Sequence, residues 1–201
     1  MAAKLLGIVG SYRKNGVVDR LVGETLAAAE AAGAMTHKIY LADAHIEFCR
    51  NCRRCAQDPG TEPGRCVITD DVAAILEEWK GCTGLVFGAP VNFYNLTALA
   101  RKFMERLICF GYWPWGQGAP KWRSEKREKK AVLITATGMP SILGRLFTGS
   151  PRALRLTAKT MGAEPIQTIF AGMIAQKESV ELSERLIRQA RAAGRRLAMG
   201  K

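Results

Sequence analysis

Lys4 to Val18 reads KLLGIVGSYRKNGVV, an apolar run that breaks into a polar, glycine-bounded turn and then opens a helical pattern. Leu5, Leu6, Ile8 and Val9 are nearly continuous, which suits a strand of a parallel sheet buried on both faces. Such a strand needs helices above and below it. Gly10 and Gly16 let the chain turn tightly, and Ser11, Arg13, Lys14 and Asn15 place donors where the N–H groups of a helix N-terminus, at Gly16, Val17 and Val18, are unpaired. The stretch therefore reads as strand, phosphate-binding loop and helix. A basic turn opening a surface helix has the same composition. Neither G-x-G-x-x-G nor G-x-x-x-x-G-K-[ST] is present, so the dinucleotide Rossmann loop and the P-loop are excluded as templates.

Working outward, the chain alternates strand and helix. The first helix carries Leu21, Val22, Leu26, Ala27 and Ala29 on its apolar face and stops near Gly33. A second strand spans His37 to Leu41, and a cysteine-bearing loop runs from Ala44 to Cys66. Thr69, Asp70 and Asp71 then supply capping oxygens for a helix whose buried face is Val72, Ile75, Leu76 and Trp79. Strand three is Gly84 to Pro90. A turn at Val91 to Asn95 leads to a helix with Leu99, Phe103 and Leu107 four apart. An aromatic and basic insertion, Cys109 to Lys130, precedes strand four, which starts at Ala131 and ends at Gly138. A helix from about Pro151 to Met161, a strand at Pro165 to Phe170 and a helix from about Glu178 to Leu197 complete the pattern. Five strands separated by helices call for a parallel sheet covered on both faces, with ligands at the carboxyl ends of the strands. One domain, 1–201, is expected.

The 201 residues include 48% hydrophobic and 24% charged residues, as in ordinary globular proteins. No run approaches the ~18 apolar residues of a membrane span, and no signal-peptide pattern opens the chain, so a cytoplasmic protein with no membrane partner is expected. The net charge of +12 favours anionic ligands. The basic residues concentrate in Lys121 to Lys130 and on one face of the last helix, which reads as a solvated face.

Two stretches carry a family resemblance. Gly10-Ser11-x-Arg13-x-Asn15-Gly16 resembles the G-S-x-R-x-x-[GS] loop of the flavodoxin-like NADPH-dependent FMN reductase superfamily. Pro90, Val91, Asn95, Thr97 and Ala98, followed by Lys102, Phe103, Glu105 and Arg106, resemble its G-[SA]-P-V-Y-x-x-N-x-[TS]-A loop and K-x-F-x-[DE]-R helix. The resemblance implies an α/β, flavodoxin-like three-layer sandwich with a five-stranded parallel sheet. It further implies FMN, its phosphate on Ser11, Arg13, Asn15, Gly16, Val17 and Val18. The isoalloxazine would lie along Pro90, Val91, Asn92, Phe93, Tyr94 and Asn95, with its polar edge at Thr137 and Gly138. The chain departs from the family pattern at Val18, where a hydroxyl residue is usual, and at Asn92, where a tyrosine is usual. Ring stacking then passes to Phe93 or Tyr94.

Four of the six cysteines are clustered as Cys49-x2-Cys52-x2-Cys55-x10-Cys66. Three at x2 intervals fit a loop folded round an iron–sulfur cubane, whereas structural zinc prefers two close pairs and Cys66 has no near partner. Free or redox-active thiols stay open as a third reading. The segment also resembles the cysteine motif of the iron–sulfur flavoproteins, with a longer gap before Cys66, and this implies a 4Fe–4S cluster on Cys49, Cys52, Cys55 and Cys66 near FMN. Arg50, Arg53 and Arg54 would offset its negative charge. Cys82 and Cys109 read as isolated, partly buried thiols. His37 and His45 have no ligand or triad spacing, so no side chain is assigned as catalytic and the chemistry must come from a cofactor.

The expected function is an FMN-dependent oxidoreductase passing electrons from NAD(P)H, or from a ferredoxin-like donor, to a small acceptor or redox partner. The alternatives are a metal-free NAD(P)H:quinone or FMN reductase and a non-enzymatic flavin electron carrier. The superfamily resemblance implies a homodimer or homotetramer. The insertion, with Trp113, Trp115 and Trp122, is expected to serve as subunit contact or flavin lid, ahead of a solvated loop and of a single-strand nucleic-acid platform.

Overall fold

The computed structural model describes residues 2–175 and 180–200. Five parallel strands form the central sheet: β1 (Lys4–Val9), β2 (Met35–Tyr40), β3 (Gly84–Gly88), β4 (Lys129–Ala136) and β5 (Ala163–Ala171). Their order is β2-β1-β3-β4-β5, with Leu5 paired to Thr36 on one side and to Gly84 on the other. This is the flavodoxin-like order, and it places the switch point between β1 and β3.

Helices cover both faces. Leu5 and Val9 of β1, Val86 of β3 and Val132 and Ile134 of β4 pack against α1 (Val17–Glu30) and α6 (Glu184–Ala198). Leu6, Ile8, Leu85, Phe87 and Leu133 point the other way, onto α2 (Asp71–Lys80), α3 (Ala98–Arg106) and α5 (Ser150–Thr160). Both sets are fully buried, so the near-continuous apolar runs of the inner strands are the sequence form of a three-layer sandwich. Asp70, Thr97 and Ser183 cap α2, α3 and α6 through their side-chain oxygens.

Several boundaries differ from expectation. β3 stops at Gly88, before Pro90, and β4 starts two residues earlier, at Lys129. β5 also runs longer, and a one-residue bulge at Ile166 lets Pro165 sit in this edge strand without costing a ladder bond. The last helix begins at Glu184, and the expected start at Glu178 lies outside the described residues. On α1, Ala27 is exposed and Thr25 and Ala28 are buried instead. A short helix absent from the sequence reading, α4 (Ser141–Phe147), follows the loop after β4. Its exposed Ile142, Leu146 and Phe147 have no core partner to impose helical spacing. No helix among the described residues is long and apolar enough to cross a membrane.

Candidate flavin cleft and cysteine loop

A cleft of about 790 Å³ opens at the carboxyl edge of the sheet, lined by residues 11–18, by Pro90, Val91, Asn92 and Thr97, and by Gly138. Three loops after three adjacent strands therefore meet, as the topology requires. Ser11 shapes the first: its hydroxyl accepts the Arg13 N–H at 3.1 Å and donates to the Arg13 carbonyl at 3.3 Å. The Arg13 side chain is exposed, and Lys14 pairs with Asp43 at 2.8 Å. The Asn15 backbone is left-handed (φ 63°), and its N–H donates into the fold, to Asp19 Oδ2 at 2.6 Å. α1 starts at Val17, and its N-cap, Gly16, has no side chain to claim the helix N–H groups, so the amides that follow are unpaired by a cap. Val18 is core, packed where a Cβ on Gly88 would collide, so only its backbone serves the cleft.

The second loop is anchored to the first. Thr97 Oγ1 donates to the Gly10 carbonyl at 2.6 Å while accepting the Ala100 N–H, and a Cβ on Gly10 would lie 2.9 Å from that of Ala100. Residues 91–92 and 95–96 form a small antiparallel ribbon. Phe93 and Tyr94 are its two turn residues, both at positive φ (47° and 63°), where glycine or asparagine is usual. The strained turn sets Phe93 on the surface, 97% exposed. Pro90, Val91 and Asn92 thus line the cleft, whereas Phe93, Tyr94 and Asn95 do not. Asn95 braces the loop, its Oδ1 accepting the Leu96 N–H at 2.9 Å. Thr137 is buried behind Gly138, its hydroxyl accepting the Met139 N–H at 3.3 Å.

The cysteine loop leaves β2 beside this cleft. Cys55 is buried, Cys49 and Cys66 are half-buried and Cys52 is exposed. Burial first, then the neighbouring Cys66, Cys49 and Cys52, push the Cys55 thiol up to about 11. Cys49, Cys52 and Cys66 are thus near enough to Cys55 to act on its thiol, but among the described residues no three cysteine, histidine or acidic side chains form a ready metal site. The ten-residue gap before Cys66 is closed by backbone contact. The Gly64 N–H donates to the Cys109 carbonyl at 2.9 Å, and a Cβ on Gly64 would stand 1.8 Å from the Cys55 carbonyl oxygen.

Cys109 corrects the sequence reading. It is not isolated but a fifth thiol of this neighbourhood, pushed up to about 12 by burial and by Cys55 and Cys66. Cys82 is fully buried and does stand apart, bonded to the Glu78 carbonyl. Spacing in sequence held no sign of Cys109, because the insertion brings it back from 43 residues beyond Cys66.

The insertion is also placed differently from a flavin lid, since none of residues 109–130 lines the cleft. It braces the cysteine loop. Arg123 donates to the carbonyls of Cys55 (3.0 Å), Asp58 (2.8 Å) and Cys109 (3.0 Å), and the Trp113 N–H donates to Ala56 at 2.7 Å. The Arg53 guanidinium lies 4.0 Å from the ring centres of both Trp113 and Trp115. On the other side Arg106 is buried with Asp70, donates to the Glu47 carbonyl at 2.9 Å and reaches Cys66 Sγ at 3.4 Å.

Residues 3–161 match the family model of NADPH-dependent FMN reductase. The chain belongs to that family. It is 37% identical over 103 residues to an iron–sulfur flavoprotein of Methanocaldococcus jannaschii, a match covering 51% of each chain. The chain spans about half the length of the curated relatives it matches. Among solved structures, an NAD(P)H:quinone oxidoreductase from Methanothermobacter marburgensis superposes with TM-score 0.73 at 16% identity, over 98% of this chain and all of that one. An FMN-dependent NADH-azoreductase from Bacillus anthracis, solved with FMN, gives 0.71 at 15% identity, over 98% of this chain and 99% of that one. These two likenesses are of fold.

Proposed function

We propose that the protein is an FMN-dependent oxidoreductase that takes electrons from NAD(P)H or a reduced carrier and passes them to a small acceptor or redox partner. The cleft at the β1–β3 switch point carries this reading, because one wall is an uncapped helix N-terminus with Arg13 beside it and the other is Pro90 to Asn92. A phosphate dianion gains charge-assisted hydrogen bonds at the first wall. The second wall suits a ring system, with Gly138 also on the cleft lining. Bound FMN would supply the hydride and single-electron chemistry, and the chain's own residues bind it, orient it and shield one side of it from water.

Cys49, Cys52, Cys55 and Cys66 are the ligand set for a 4Fe–4S cluster in this reading. Four thiols on one loop, with arginines around them, match its demand in kind and charge. When bound, such a cluster would exchange single electrons with the flavin. The names of the curated relatives support this assignment. A metal-free reductase with these cysteines as thiols is the second reading, favoured by their unequal burial, from Cys55 in the interior to the exposed Cys52. A homo-oligomer is supported by the exposed Phe93, Tyr94, Ile142, Leu146 and Phe147, large apolar side chains that a subunit contact would cover.

One preparation tests the flavin reading. Protein purified without oxygen should carry FMN and oxidise NAD(P)H steadily when an acceptor is added. A flavin-loaded protein reduced once but without turnover would be a carrier, and protein with no affinity for FMN would overturn the proposal.

A further inference from the structure

Asp19 is the third residue of α1, in the first turn between Val18 and Arg20 of the cleft lining, where a carboxylate is ordinarily the anion that the helix's positive end attracts. Left free, it would compete with an incoming phosphate for the same N–H groups. It is instead 3% exposed and fully engaged elsewhere. Oδ2 accepts the Asn15 N–H at 2.6 Å and the Tyr40 hydroxyl at 3.3 Å, and Oδ1 accepts from Lys38 Nζ at 3.0 Å. Lys38 stands on β2, its ammonium 4.9 Å from the Tyr40 ring centre. Burial alone would lower the Lys38 pKa, but Tyr40 and Asp19 outweigh it and hold it above its ordinary value. Lys38 therefore keeps its ammonium, which lies against the Asp19 carboxylate as an ion pair.

We infer that Asp19 and Lys38 are a positioning pair that keeps the phosphate loop turned open and electropositive for the FMN phosphate, a role that rests on the flavin reading above. Two effects combine. The Asp19 carboxylate fixes Asn15 in a left-handed turn that a non-glycine residue holds only when its surroundings impose it. Lys38 then removes from the cleft the negative charge that this bond would otherwise place under the seat, so the charge of Arg13 is not offset. Neither residue touches the ligand, and Asp19 acts through Asn15.

Because the pair faces only the phosphate end, its loss should separate FMN from riboflavin, which has the same ring and no phosphate. Dissociation constants for both flavins are measured by fluorescence titration of flavin-free protein. Asp19→Ala and Lys38→Met should each weaken FMN about ten- to a hundredfold, the worth of a charge-assisted bond, with riboflavin changed by less than about threefold. The Asp19→Asn/Lys38→Met double variant retains an oxygen for the Asn15 N–H and carries no charge, so it should bind FMN within about threefold of the parent. Equal losses for the two flavins, or a double variant no better than Lys38→Met alone, would overturn the pair's role. Should Asp19→Ala not fold, the other two variants still decide. A parent protein that binds neither flavin refutes the flavin reading itself, which is a different result.

Discussion

Removal of the Arg106 guanidinium, by Arg106→Met, should destabilise the fold more than any other single change near the cysteine loop. The Arg106 and Asp70 side chains are 1% and 0% exposed, so the variant leaves a carboxylate in the interior without its counter-charge. Breaking a buried pair from one side costs about 3–5 kcal/mol, and for a chain of this size that lowers the thermal midpoint by about 10 °C. The Glu47 and Val72 amides still bond Asp70, which places the loss toward the lower end of that range. Asp70→Asn should cost less, since it keeps the cap of α2, and the double variant should recover part of the loss because no unpaired charge remains. The pair also sets a pH dependence. Burial would raise the Asp70 pKa, but Arg106 and the Glu47 amide outweigh it and hold it below the ordinary carboxylate value. The unfolded chain binds that proton more readily, so this stability is present above the unfolded carboxylate range and is lost as pH falls through the lower folded value. Urea unfolding of the parent between neutral pH and pH 3 should show the loss, and Arg106→Met should show less of it. An Arg106→Met protein within about 1 kcal/mol of the parent would refute the assignment of this pair as the brace of the loop.

Arg13→Ala should weaken FMN more than riboflavin, and equal loss would place the phosphate elsewhere. Gly64→Ala must displace the Cys55 carbonyl, from which its Cβ would stand 1.8 Å, so alkylation of Cys55 and Cys66 in metal-free protein should accelerate; unchanged rates would show that the contact is not held in solution. Protein reconstituted without oxygen should bind about four irons, by the stoichiometry of that cluster, and Cys52→Ser should lose them while FMN stays. A sample with FMN and no iron would leave the metal-free reductase.

The sheet was legible because its residues answer to one demand each. Leu5, Leu6, Ile8 and Val9 had to be buried on both faces, and no other fold class buries such a run beside helices of this spacing. Loops 11–18 and 90–92 were legible for a different reason, since Gly10, Gly16, Pro90 and Thr97 are imposed by backbone geometry and leave a pattern in order. Long-range partners leave none. Asp19 and Lys38 are ordinary surface letters in sequence, and only the packing of α1 against β2 brings them together. Phe93 and Tyr94 were only half legible, because aromatic residues beside a cofactor loop suggest stacking but do not reveal the positive φ that leaves both exposed. Cys109 and Arg123 were hidden in an insertion whose contacts are nearly all side chain to main chain, and a carbonyl acceptor has no sequence signature.

The placement of α3 joins the two halves of the site. Its first turn is fixed by Thr97, which lines the cleft and is bonded to the Gly10 carbonyl, and its last residue is Arg106, bonded to Glu47 and Cys66 of the cysteine loop and to Asp70 just beyond it. Nine residues at about 1.5 Å each separate these anchors by roughly 14 Å along the helix axis. Both anchors are buried, and the helix between them packs Ala100 and Phe103 into the core, so neither end can shift without the other. The cysteine loop is then gripped twice, by Arg106 from beneath and by Arg123 of the insertion from above. A loop with left-handed residues at Asn51 and Arg53 and little regular structure would otherwise wander. Were the proposed cluster held on this loop, its distance from the proposed flavin would be set by this one helix and held by the two arginines.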